Sequence, residues 1–404
     1  MNPDLLKLQS YPFEKLAQLK KGIIPPADKP HIALSIGEPQ HAPPQSVIET
    51  LKTRLVTLGQ YPSTRGLPDL RQAMADWLNR RFGLPAGTID PDRHVLPCNG
   101  TREAIFSFAQ ALIDRTRNPL VLMPNPFYPI YEGAALLGGA ESAYLNTTPE
   151  NGYLPDFDDV PDSVWQRCQL VYVCSPSNPT GAVVDLARYQ KLLELADRHD
   201  FIIASDECYS EIYQDENNPP PGLLQAAFAM GNTEFERCVV FHSLSKRSNL
   251  PGLRSGLIAG HSALMADFLR YRTYHGCAMP LPTQYASITA WQDEQHVREN
   301  RACYRQKFAE VHALLRDVLP LTIPPAGFYL WLHTSGNDEE FARRLFMEQN
   351  VTVLPGTYLS RTAQGINPGQ HHVRMALVAD LDGCLEAARR IRDFIPTLQQ
   401  ESRT

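Results

Sequence analysis

The 404-residue sequence is poor in the features that mark specialised environments. Its eight cysteines, Cys98, Cys168, Cys174, Cys208, Cys238, Cys277, Cys303 and Cys384, form no CxxC pair. Neither a structural zinc site nor a disulfide framework is therefore expected, and no metal ligand set stands out. Several lie inside apolar runs such as LVYVC and RCVVF, where Cys behaves as a small hydrophobe. No stretch approaches the ~18–20 apolar residues that a membrane span needs. The opening MNPDLLKLQSYPFEKLAQLKKG lacks the charged-then-apolar order and small-residue cleavage site of a signal peptide. The expectation is a cytoplasmic chain with no membrane partner. Basic excess is missing too, with 38 Lys and Arg against 44 Asp and Glu, which argues against a nucleic-acid binder. There is no GxxxxGK[ST], GxGxxG or GxSxG, so ATP-cradling, dinucleotide-binding and serine-hydrolase readings fall away.

What is present is a sizeable apolar fraction, 43 %, and a length that favours more than one core. The 34 prolines predict many shaped connections, since Pro stops helices and fixes loops. The middle of the chain alternates short apolar runs with amphipathic helices. HVLP (94–97), PLVLMP (119–124), LVYVC (170–174), FIIAS (201–205), CVVFHS (238–243) and GLIAG (256–260) read as strands buried on both faces. GTREAIFSFAQALI places Ala104, Ile105, Phe108, Ala111 and Leu112 on one helical face, and LARYQKLLELADRHD does the same with Leu186, Tyr189, Leu192, Leu193 and Ala196. Unalternating strands joined by helices predict an α/β fold with a mostly parallel, helix-covered sheet. The boundaries that follow are a Pro-rich N-terminal segment (1–49), a large α/β domain (50–285) and a smaller α+β domain (286–404). The N-terminal segment joins the small domain. The latter is predicted to hold helices over 283–318 and 337–350 and strands at FYLWLH (328–333) and HVRMAL (372–377).

Ligands of open parallel sheets bind beyond the carboxyl ends of the strands. Just past those ends stand Asn99, Gly100 and Thr101, then SPSNPTG, then Asp206, Glu207, Cys208 and Tyr209, then Leu244, Ser245 and Lys246, with Arg254 before GLIAG. A carboxylate, a phenol, a lysine, an arginine, an amide and a helix start converge on one edge. The desolvation they incur calls for a bound partner. The interval from Asn178 to Asp206 suits one βαβ crossover. GTREA offers backbone N–H groups and a positive helix end, an anion site that Ser243 and Arg254 can extend.

The set Gly100-Thr101, Asn178-Pro179-Thr180-Gly181, Asp206-x-x-Tyr209, Ser243-x-Ser245-Lys246, Arg254 and Arg374 resembles the class I aminotransferases, fold type I pyridoxal-phosphate enzymes, over essentially the whole chain. YPSTRGLPDLRQA, PFYPIYEGAALLGGA, SKRSNLPGLRSG and YRTYHGCAMPLPTQ are most similar to the bacterial N-succinyldiaminopimelate aminotransferases. The resemblance implies a pyridoxal 5′-phosphate cofactor whose aldehyde links to Lys246, the amine that then carries the substrate proton. It makes Asp206 the partner of the pyridine nitrogen and gives Asn178 and Tyr209 the ring hydroxyl. Tyr128 stacks on the ring, and Gly100, Thr101, Ser243, Ser245 and Arg254 hold the phosphate. It also implies a homodimer with shared sites, in which Tyr61 reaches the neighbouring phosphate. Arg374 and the Gly37 backbone would hold the substrate α-carboxylate, and small amino and keto acids would be the partners. Arg65, Arg102 and Arg247 are candidates for a distal carboxylate. Polar Arg247, Ser248 and Asn249 stand where many relatives have an aromatic. Another amino-acid specificity or a β-lyase reaction on the same fold remains open, as does, remotely, a non-catalytic regulatory role.

Overall fold

The computed structural model describes residues 1–334 and 336–401. Its strands are β1 (Ile32–Ala33), β2 (Val95–Cys98), β3 (Leu120–Asn125), β4 (Glu141–Asn146), β5 (Cys168–Cys174), β6 (Ile202–Asp206), β7 (Cys238–Ser243), β8 (Gly256–Gly260), β9 (Tyr329–His333), β10 (Val351–Thr352), β11 (Leu354–Pro355) and β12 (His372–Ala376). Seven form one sheet in the order β2-β8-β7-β6-β5-β3-β4. From β4 to β7 the pairs are parallel, and β8 runs antiparallel to both its neighbours. The mostly parallel α/β expectation holds, and the six predicted strands appear within a residue or two. β4 is an addition: it lies at an edge and is half-exposed, so it lacks the continuous apolar run that betrays a buried strand.

Strand alternation divides the packing cleanly. Leu122, Val171, Ile203, Val240 and Leu257 face one cluster with Trp77, Tyr189 and Trp291. Val121, Leu170, Ala204, Val239 and Ile258 face another with Phe108 and Phe268. Both faces are thus covered by helices, which include Thr101–Leu112 and Leu186–His199.

A second core gathers Leu34, Phe308, Val311, Leu330, Val351 and Met375. Here β11, β12 and β9 make an antiparallel sheet, and β1 pairs in parallel with β10. The helix predicted over 283–318 is two helices, Leu281–Gln292 and Gln295–Leu315. The break at Asp293–Glu294 contains neither Gly nor Pro, and its cause is tertiary: Arg247 donates to the Ala290 and Asp293 carbonyls and pairs with Glu294 at 2.6 Å.

Candidate active site

Register brings the strand ends to one line. Cys174 pairs with Asp206 across β5 and β6. Ser243 pairs with Gly256 across β7 and β8, and Gly256 with Cys98 across β8 and β2. Gly100, Arg254 and Lys246 lie two or three residues beyond that row, so they are delivered to the same edge. There Lys246 and Arg254 line a cavity of about 390 Å³. Gly37, Thr101, Tyr128, Asn178, Asp206, Tyr209, Ser243, Ser245, Arg102 and Arg374 line it as well.

On one side of the cavity is a cup for an anion. Gly100 caps the helix Thr101–Leu112 at φ 81°, the left-handed region that favours Gly. A Cβ there would run into the Arg254 guanidinium. The absence of a side chain thus lets a cation lie against the positive end of a helix, an arrangement that favours an anion between them. Among the described residues, Arg254 bonds only to carbonyls, at 2.9 Å to Pro251 and 3.5 Å to Asn99. Ser243 spends its oxygen on the Ser245 N–H at 3.1 Å, and both serines face the cavity.

Deeper lies Asp206, 5 % exposed. It accepts from the Tyr131 hydroxyl at 2.7 Å and the Cys208 N–H at 3.3 Å. Burial pushes its pKa above the usual carboxylate range, against the pull of these bonds. Lys246 donates to the Gly37 carbonyl. Burial, with Arg374 and Arg254 nearby, lowers its amine from 10.5 to about 8.

The floor on the other side carries Arg374, 4 % exposed. It donates to Asn178 Oδ1 at 2.8 Å and to the Ser35 carbonyl at 2.7 Å, and it lies over the Tyr329 ring at 4.4 Å. Its Nε has no partner, and no carboxylate pairs with it among the described residues. A buried guanidinium held only by neutral groups is costly unless an anion arrives. Tyr209 and Tyr329 share a hydroxyl–hydroxyl contact of 3.0 Å. A Cβ on Gly37 would collide with the Tyr329 hydroxyl, so only glycine lets that loop's backbone come this close. At the mouth, Arg102 donates to Tyr128 Oη at 2.7 Å and to Tyr11 Oη at 3.4 Å.

A buried amine, a buried acid, an anion cup and an unpaired guanidinium therefore surround one space. The pattern for "Aminotransferase class I and II" matches residues 29–391. The chain belongs to the class I and II aminotransferases. It is 36% identical over 371 residues to an LL-diaminopimelate aminotransferase of Nitratidesulfovibrio vulgaris, covering 89% of this chain and 90% of that one. A solved aminotransferase from Neisseria meningitidis superposes with a TM-score of 0.94 at 46% identity, covering 98% of this chain and 100% of that one. The aminotransferase AspB of Helicobacter pylori gives 0.89 at 36% identity, over 96% and 99% of the two chains. These aminotransferases depend on pyridoxal phosphate, and the residues here fit it. The cup of Gly100, Thr101 and Arg254 suits its phosphate, and Asp206 has no ion pair with a cation among the described residues, a partner the ring nitrogen would supply.

Arg247, Arg65 and Tyr61, all singled out in the sequence, do not line the cavity of this aminotransferase. Arg247 is 2 % exposed and packs against the Trp77 and Trp291 rings, away from the cavity. Adjacent residues on the short helix Leu244–Arg247 point about 100° apart, so Lys246 at the cavity turns Arg247 inward. Arg65 donates to the Asp92 carbonyl and does not line the cavity. Tyr61 is fully exposed and does not line this chain's cavity either. Sequence reasoning overlooked Tyr11, Tyr131 and Tyr329 as site residues. PFYPIYEG carried a second tyrosine three residues after Tyr128, a spacing that puts both rings on one side of the chain. Nothing local marked Tyr11.

Proposed function

We propose that this aminotransferase moves the amino group of glutamate to N-succinyl-2-amino-6-oxopimelate, giving N-succinyl-LL-diaminopimelate and 2-oxoglutarate in the route to diaminopimelate and lysine. The observation that carries the reading is Arg374, a buried fork with no acid partner among the described residues, lining the same cavity as Lys246. It holds the α-carboxylate, with Gly37, and so aims the Cα–H at Lys246. Bound pyridoxal phosphate supplies a cationic ring that draws off the electron pair left at Cα. Asp206 would keep the proton on the ring nitrogen, Asn178 and Tyr209 would hold the ring hydroxyl oxygen, and Tyr128 would pack against the ring. Gly100, Thr101, Ser243, Ser245 and Arg254 fix the phosphate. Lys246, whose amine burial lowers, would take the proton from Cα and deliver it to the cofactor carbon.

Arg102, at the mouth beside Tyr11 and Tyr128, reads the distal carboxylate. The active unit is a homodimer, with Tyr61 lent to the partner's phosphate. A second reading, direct amination that gives LL-diaminopimelate itself, is favoured by the name of the N. vulgaris relative. One experiment separates them. The cofactor-loaded protein is mixed with N-succinyl-LL-diaminopimelate, LL-diaminopimelate or glutamate, and the cofactor absorbance is followed. Conversion by the succinylated amine and glutamate supports the first reading. Conversion by LL-diaminopimelate with no response to the succinylated compound replaces it with the second.

A further inference from the structure

Behind the cavity wall is a chain of polar groups with no direct part in the chemistry. Lys307, on the helix Gln295–Leu315, is 2 % exposed and forms no ion pair with a carboxylate among the described residues. Its Nζ donates to the Leu377 carbonyl at 3.3 Å, to the Ala379 carbonyl, and to His41 Nε2 at 2.6 Å. An ammonium has three N–H groups and no acceptor, so these contacts fix the imidazole as well. Nε2 of His41 must be the bare, accepting nitrogen, and Nδ1 carries the proton.

That proton goes to Asn300 Oδ1, 2.7 Å away. The same oxygen accepts from Asn249 Nδ2 at 3.0 Å, which orients the amide so that its NH₂ turns to the Lys246 carbonyl at 3.4 Å. The circuit then closes through the site. Lys246 donates from its amine to Gly37, four residues before His41, while the Leu377 and Ala379 carbonyls follow β12, which carries Arg374. Three otherwise separate segments, each bearing one contact to the reacting molecule, meet at one imidazole. His41, Asn300 and Lys307 do not line the cavity.

We propose that His41 is a positioning residue: in its Nδ1–H form it ties Lys307 to Asn300 and so holds the Lys246 backbone in fixed relation to Gly37 and Arg374. A misplacement of about 1 Å between a proton-carrying amine and the substrate can cost about a hundredfold, which is what such a strut prevents. The inference rests on Lys246 being the cofactor-linked lysine.

The test uses the full-length, cofactor-loaded protein and the variants His41→Gln, His41→Leu, Lys307→Met and Lys246→Ala. Two quantities are read: the pH midpoint of the bound-cofactor absorbance change, and kcat/KM for glutamate. His41→Leu and Lys307→Met should each move the midpoint by about 0.5 pH unit or more and lower kcat/KM about tenfold. His41→Gln, which keeps an acceptor for Lys307 and a donor for Asn300, should recover at least half of both effects. If His41→Leu does not fold, Lys307→Met carries the same expectation. Unchanged midpoint and kcat/KM in variants that merely melt earlier would overturn the proposal, as would a His41→Gln no better than His41→Leu. A Lys246→Ala protein that keeps the wild-type midpoint would instead remove the reading beneath it, and the proposal with it.

Discussion

Lys246 is the site amine whose proton affinity its surroundings lower. Its amine falls from 10.5 to about 8, first through burial and then through Arg374 and Arg254. An unfolded chain keeps that proton to pH 10.5, while the folded one releases it near 8. Between those values the unfolded state binds more protons, so stability rises with pH across that window. Below pH 8 the cofactor-free protein bears a buried charge in full. Lys246→Met should therefore stabilise the cofactor-free protein at pH 7 by about 1–3 kcal/mol, and urea unfolding at pH 7 and pH 10 should show the gain shrinking. The same change should cut the rate of the glutamate half-reaction by at least about 10²–10⁴-fold. Asp206 makes a complementary case. Asp206→Asn keeps the shape and loses the charge that a protonated ring nitrogen needs. A charge-assisted hydrogen bond is worth roughly 1.5–3 kcal/mol, so cofactor affinity should fall about 10- to 100-fold, measured by fluorescence titration. Unchanged affinity would detach Asp206 from the ring.

Among the elements, the break between helices Leu281–Gln292 and Gln295–Leu315 is set by one guanidinium. Arg247 is buried against two tryptophans and engages carbonyls at the end of the first helix. Arg247→Ala should lower stability by about 1–3 kcal/mol, through lost packing against the two tryptophans and carbonyls left without a donor, with KM for the succinylated substrate unchanged. A raised KM with intact stability would return Arg247 to the substrate. The same junction shows where sequence reading reaches its limit. The strands β2, β3 and β5–β8 are legible because burial on both faces demands an unbroken apolar run. The convergence of Gly100, Asn178, Asp206, Ser243 and Lys246 at one edge follows from parallel strands having their ends together. β4 is not legible, because an edge strand needs only one apolar face. The helix break is not legible, because its cause lies more than forty residues away in Arg247. Tyr11 and Tyr329 reach the cavity only through tertiary contacts, and no local pattern announces those.

At the scale of the molecule, one surface stands out. Leu55, Val56, Leu58 and Tyr61 are exposed together on and just after the 3-10 turn Leu55–Gly59. Such a contiguous apolar face ordinarily marks an interface, and a second copy of this chain is the occupant the proposed homodimer requires. Val56→Glu with Leu58→Asp should give a monomer by analytical ultracentrifugation. It should also bind the cofactor less well, since the phosphate would lose Tyr61. A monomeric double variant with wild-type cofactor affinity would leave the site complete within one chain.

The pairing of β1 with β10 has a consequence for the birth of the protein. Ile32 and Ala33 find their partners at Val351 and Thr352, more than three hundred residues downstream. The large sheet has all its strands once residue 260 has left the ribosome, and it can begin to pack then. Gly37, by contrast, has no anchored place until the chain is nearly finished, and Arg374 emerges later still. The nascent chain therefore displays the anion cup and Asp206 well before it owns the fork for a carboxylate. Loading with cofactor can precede competence for substrate, and a ribosome stalled before β12 should carry a chain that binds pyridoxal phosphate and turns over nothing.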